Sequence, residues 1–220
     1  MKIPVSHGHL EAVSRDPRGE LRGGGVFCHP HPLHGGTMNT KAVYRAAQSL
    51  NELGLRMIRF NFRGVGCSTG TFDEGVGERE DVEAALDWLE LSVRDRPMVV
   101  GGVSFGSLVG LSVGVDDPRV RALVALGVPV TAYDYGFLAK TEKPVLVVQG
   151  ENDEFGGGQE VREIMEGYGE HVAVRVIPGS EHLFQGHFQP LQETIRSYFR
   201  HGPGQGVLED VAVAGAEEKP

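Results

Sequence analysis

An alternation of two kinds of segment most narrows what this chain can fold into. Short, β-rich apolar runs stand at residues 26–28, 55–62, 98–103, 120–126, 145–149 and 172–177. Between them, apolar residues recur at helical spacing. Val43, Ala46, Ala47, Leu50 and Leu53 keep it, as do Val82, Ala85, Leu86 and Leu89. So do Val161, Ile164, Met165 and Tyr168, and then Leu191, Ile195, Tyr198 and Phe199. Several of the short runs are apolar without a break, as strands covered on both faces must be. Residues 107–115 are apolar nearly all round, which reads as a buried helix. Strands alternating with helices predict an α/β fold, a mostly parallel central sheet with helices on both faces. The first thirteen or so residues, closed by the turn signal Asp16-Pro17-Arg18-Gly19, predict one antiparallel edge strand.

There is no internal repeat and no linker between two cores, so residues 1–201 read as one domain. A chain of 220 residues buries roughly 70% of its unfolded surface and needs no disulfide or metal to hold a core. Residues 202–220, rich in Gly, Ala and Glu, read as a flexible tail. The 40% hydrophobic content with mixed charges excludes a wholly disordered chain. No apolar run approaches 18 residues, so no membrane span is expected.

Cys28 lies in an apolar run and Cys67 in a Gly-rich loop, so neither is expected in a bridge, and a reducing, cytoplasmic setting follows. The N-terminal segment lacks the apolar stretch of a secretory signal. A net charge of −9 argues against nucleic acid or an anionic membrane as partner, and leaves a homo-oligomer open. Residues 73–90 hold eight carboxylates against Arg79 alone. Such a run predicts a solvated helix face, its acids near the helix N-terminus.

The candidate nucleophile is Ser104, in Gly102-Val103-Ser104-Phe105-Gly106. In a G-x-S-x-G elbow the serine sits on a strained strand-to-helix turn that small neighbours permit. A second match, Gly66-Cys67-Ser68-Thr69-Gly70, is followed by loop-like sequence, so Ser104 is preferred to Ser68. A serine nucleophile needs a base, and the base an orienting carboxylate. Asp153 lies just past the run 145–149, at the carboxyl end of a parallel strand, where open α/β sheets bind ligands. Asp134 is the runner-up; Asp116 and Asp117 precede Pro118 in a turn, and Glu151 and Glu154 read as exposed. Among the histidines, His182 lies in the loop after the last strand, whereas His171 opens a strand, His201 closes a helix and His187 lies further on.

The Gly-rich segment His29-Pro30-His31-Pro32-Leu33-His34-Gly35-Gly36 also follows a strand. It can supply one backbone N–H to an oxyanion, and Phe105 the other. Pro30 and Pro32 carry no N–H, which leaves His31 or Leu33. His29, His31 and His34 have a spacing that could hold zinc, but the two prolines stiffen the segment and no metal is expected. Arg63 is expected to tie its loop to the sheet ends rather than to clamp a substrate. Tyr133, Tyr135 and Phe137 are candidates for an acyl pocket.

Together, Cys28–Asn39, the segment Asn61-Phe62-Arg63-Gly64-Val65-Gly66-x-Ser68-x-Gly70, the elbow at 102–106, Asp153 and His182 resemble the α/β-hydrolase superfamily over residues 10–200. Within it the chain is similar to a small lid-less bacterial branch near the dienelactone-hydrolase-like proteins. The resemblance implies Ser104 as nucleophile, His182 as base and Asp153 as its partner. True dienelactone hydrolases carry a cysteine where Ser104 stands, so their substrate is not implied. Many relatives have Asp at the position of Asn61. The segment 129–144, where larger relatives insert a lid, is short. An open site favours small or soluble esters. The expected activity is a cofactor-free carboxylesterase. Thioesterase, lactonase, small peptidase and a non-catalytic binding protein on the same fold are the alternatives.

Overall fold

The computed structural model describes residues 1–209. In chain order the elements are β1 (Lys2–Val5), β2 (Gly8–Arg15), β3 (Gly23–Cys28), α1 (Lys41–Asn51), β4 (Leu55–Phe60), α2 (Gly77–Val93), β5 (Met98–Val103) and α3 (Phe105–Gly114). There follow β6 (Val120–Leu126), β7 (Val145–Gly150), α4 (Gly158–Glu166), β8 (Val172–Ile177), α5 (Phe188–His201) and α6 (Gln205–Glu209). Short 3-10 turns form at Pro32–His34 and Gly136–Lys140.

Eight strands make one sheet in the order β1-β2-β4-β3-β5-β6-β7-β8. From β4 to β8 every pairing is parallel. Strand β2 joins β4 antiparallel, and β1 folds back on β2. The single edge strand expected at the N-terminus is therefore a hairpin. Ser6 and His7 turn the chain between Val5 and Gly8, whose φ of +128° favours glycine.

The strands alternate side chains between the two faces, and each face has its own core. Met98 and Val100 of β5 and Val145 and Val147 of β7 meet Val82, Leu86, Val109 and Met165, from α2, α3 and α4. Val99 and Val103 of β5 and Leu146 and Val148 of β7 meet Val43, Leu50, Leu191 and Ile195, from α1 and α5. Burial of both faces is why these runs carry no polar alternation.

Two sequence expectations need correction. The first concerns the tail. Residues 205–209 form α6, and buried Leu208 joins the α1–α5 core, so apolar burial orders this stretch. Residues 210–220 lie outside the described part.

The second is the acidic run. Glu78 and Asp81 are fully buried rather than solvated. Glu78 accepts the N–H groups of Asp73 and Gly75 at 2.9 and 2.8 Å, closing the turn that starts α2. Asp81 accepts from Arg63 Nε and Nη2 and from its backbone N–H, and it contacts His7 Nε2 at 3.1 Å. Arg63 thus ties its loop to α2 rather than to the sheet ends. Among the described residues no helix is long and apolar enough to cross a membrane.

Candidate active site

His31, Ser104, Asp153 and His182 stand on the loops that follow the carboxyl ends of β3, β5, β7 and β8. A parallel sheet sends all of these ends to one edge, so residues 151 positions apart in sequence share a site.

Ser104 occupies φ 54°, ψ −126°, a conformation that a non-glycine residue holds only when its surroundings over-determine it. Its N–H donates to Leu126 O at 2.8 Å, and its carbonyl accepts from Ser107 Oγ at 2.6 Å. The flanking glycines are required by close backbone approach. A Cβ on Gly102 would overlap the Gly106 carbonyl, and one on Gly106 would overlap the His29 carbonyl. The turn therefore sends β5 directly into α3. Phe105 is the first residue of that helix, and its N–H has no acceptor within the helix.

His182 Nδ1 donates to the carboxylate of Asp153, 2.8 Å from Oδ2 and 3.0 Å from Oδ1. Asp153 is buried, and its Oδ1 also accepts the Phe155 N–H at 2.9 Å. A proton on Nδ1 leaves Nε2 as the basic nitrogen. The Phe155 ring packs edge-on against the imidazole, with centroids 4.6 Å apart. Gly127, at φ +56°, runs close to His182, where a Cβ would overlap the His182 carbonyl. Asp134, the alternative carboxylate, instead accepts the Gly136 N–H.

Ser104 and His182 line one cavity of about 620 Å³, together with Phe105, His31 and Tyr133. No hydrogen bond joins the serine hydroxyl to the imidazole among the described residues. Such contacts are commonly long until substrate tightens them. Of the three pocket aromatics expected from the sequence, only Tyr133 reaches the cavity. Tyr135 is buried and bonds Ser107 Oγ at 2.8 Å, and Phe137 packs beside it. Phe155 and Leu183, which the sequence reading passed over, take their places. Their signal was adjacency to Asp153 and His182.

The histidine segment divides its roles. His29 is buried; its Nδ1 donates to Pro30 O at 2.6 Å and its Nε2 accepts the Phe62 N–H at 3.0 Å. Both ring nitrogens are thereby used, which leaves none for a zinc ion. Burial pushes this imidazole down to about 4. His31 stacks on His34 and its Nδ1 accepts the Leu33 N–H at 3.2 Å. Burial, and then the neighbouring His34, lowers His31 as well. Ser68 is a structural residue: its hydroxyl donates to Asn61 O and accepts the Glu11 N–H.

Asn61 accepts the Met38 N–H on Oδ1 and donates through Nδ2 to Glu11 Oε2, each at 2.8 Å. An amide can do both, where an aspartate would face Glu11 with like charge. The Cys67 N–H, and then Asn61, hold the Glu11 carboxyl below its ordinary range.

The sequence model of a family described as an alpha/beta hydrolase domain matches residues 31–194. A protein of Rickettsia prowazekii, itself uncharacterised, is 35% identical over 182 residues, covering 79% of this chain and 76% of that one. An alpha-beta serine hydrolase homologue from Coxiella burnetii superimposes with a TM-score of 0.84 at 38% identity, covering 89% of this chain and 94% of its own. XC6422 from Xanthomonas campestris, described as an a/b serine hydrolase without lid, gives 0.84 at 28% identity, covering 91% and 92%. The fold and these likenesses define a hydrolase. The chain belongs to the α/β-hydrolase domain family, and among the described residues it has no substantial lid, since only the 3-10 turn Gly136–Lys140 lies between β6 and β7.

Proposed function

We propose that the protein is a serine carboxylesterase that acts through an acyl-enzyme on small or soluble esters. One observation carries the reading. The imidazole of His182, held at Nδ1 by buried Asp153, opens onto the same cavity as a serine in strained elbow geometry.

In this reading His182 Nε2 takes the Ser104 proton as Oγ attacks the ester carbonyl. The developing oxyanion is held by the N–H groups of Phe105 and His31. His31 is preferred because it lines the cavity and its N–H has no partner among the described residues. The Leu33 N–H is turned to His31 Nδ1 instead. His182 then protonates the leaving alcohol, and water activated by the same imidazole frees Ser104.

The cavity has no Lys or Arg in its lining, and Glu154 and Glu181 stand in its wall. This supports neutral over anionic esters. Two free cysteines support a reducing, cytoplasmic setting.

The test is intact-mass analysis after fluorophosphonate treatment of wild type and Ser104→Ala. One adduct on wild type and none on the variant is expected. No adduct on folded wild type would move the non-catalytic reading ahead. Matched ester, thioester, lactone and amide substrates then separate the activities that share this machinery.

A further inference from the structure

We infer that Gln149 is a positioning residue for the Asp153–His182 pair, an inference that rests on the hydrolase reading above. Gln149 interrupts the apolar strand β7, and it is fully buried. A polar side chain at such a place has to earn its desolvation through hydrogen bonds.

Its bonds leave one orientation. Oε1 accepts the Val128 N–H at 2.7 Å, a donor that only an oxygen can satisfy. Nε2 must then face the other way. It donates to Asp153 Oδ2 at 2.7 Å and to Gly156 O at 2.8 Å. One amide thus joins the loop after β6, strand β7 and the loop 153–156.

With the Phe155 N–H on Oδ1 and Gln149 Nε2 on Oδ2, each carboxylate oxygen has a fixed donor besides the imidazole. Donors of this kind stop the carboxylate rotating. An aspartate so held presents a fixed acceptor to His182 Nδ1, and the tautomer follows. Gln149 is absent from the cavity lining and its side-chain partners are Val128, Asp153 and Gly156, so its action runs through Asp153.

The experiment begins with wild type, whose adduct at Ser104 tests the hydrolase reading separately. Gln149→Met is then assayed well below its unfolding temperature. The expected result is a fall in kcat of roughly ten- to a hundredfold with KM nearly unchanged. In an Asp153→Asn background the same substitution should cost less than about threefold, because a residue acting through Asp153 has nothing left to position.

A purely structural role would give equal costs in both backgrounds, or no fall in kcat, and either would overturn the inference. Proton NMR adds a readout free of activity. The hydrogen-bonded His182 Nδ1 proton should be visible far downfield in wild type and lost in Gln149→Met, and its persistence there would also overturn the inference. Should Gln149→Met not fold, Gln149→Glu keeps the shape. Its protonated acid can donate to Asp153 while its carboxylate cannot, so its activity relative to wild type should fall as pH rises. A constant ratio would count against the inference.

Discussion

His29 Nε2 accepts the Phe62 N–H at 3.0 Å, a bond that ties the residue after β3 to those after β4. The bond needs a neutral imidazole. An unfolded histidine protonates near 6.5, whereas this one does so only at about 4. Between those values the unfolded chain binds the extra proton, so stability falls as pH drops through that window. The loss from this residue is about 3 kcal/mol, complete near pH 4. Histidine NMR at pH 5.5 should show the His29 ring uncharged, and a charged ring there would contradict the account.

Asp81 and Glu80 both meet Arg63, with opposite consequences. Asp81 is fully buried and takes three Arg63 hydrogens, while the Glu80 side chain is 65% exposed. Asp81→Asn should cost about 3–5 kcal/mol, since it leaves a largely buried guanidinium with only the exposed Glu80 as counter-charge. Glu80→Gln should cost under about 1 kcal/mol. Urea midpoints at unchanged slope measure both.

Gly106→Ala drives a methyl group into the His29 carbonyl and must push α3 away from β3. We expect it to lower the unfolding temperature by several degrees and cut esterase activity more than about tenfold, because the elbow moves with the helix. Gly206 in α6 has open space around it, so Gly206→Ala should be neutral within about 0.5 kcal/mol. Thermal scans and ester turnover on the pair test the contrast.

Tyr133 lines the cavity, whereas Tyr135 is buried outside its lining and bonded to Ser107. Tyr133→Ala should lower kcat/KM for esters with bulky acyl groups by about tenfold, the loss of one apolar contact surface. Tyr135→Phe removes one buried hydrogen bond with Ser107. It should cost about 1 kcal/mol of stability and leave kcat/KM within about twofold. Equal kinetic losses in the two variants would mean that the aromatics do not divide in this way.

Charge offers a further check on substrate class. With Glu154 and Glu181 in the cavity wall and no cation among its lining residues, a hemisuccinate ester should be turned over more slowly than a neutral ester of the same alcohol. The gap should narrow in Glu154→Gln and with added salt. A hemisuccinate preference would contradict the assignment.

Much of this molecule is legible along the chain, because its signals are local. Apolar runs and helical spacings foretell the parallel strands and their helices. Strand-turn-helix context singles out Ser104 over Ser68, and position after a strand marks Asp153 and His182. The layer architecture and the set of candidate groups are therefore written in the chain, since periodicity and strand ends need no distant partner. The tertiary structure decided everything that depends on which distant residue arrives opposite. It buried Glu78 and Asp81 inside an acidic run, turned the Leu33 N–H to His31, and kept Tyr135 out of the cavity lining. It also aimed Gln149 at Asp153. A side chain's burial and its hydrogen-bond partner are properties of the packed neighbourhood, and local sequence carries no record of that neighbourhood.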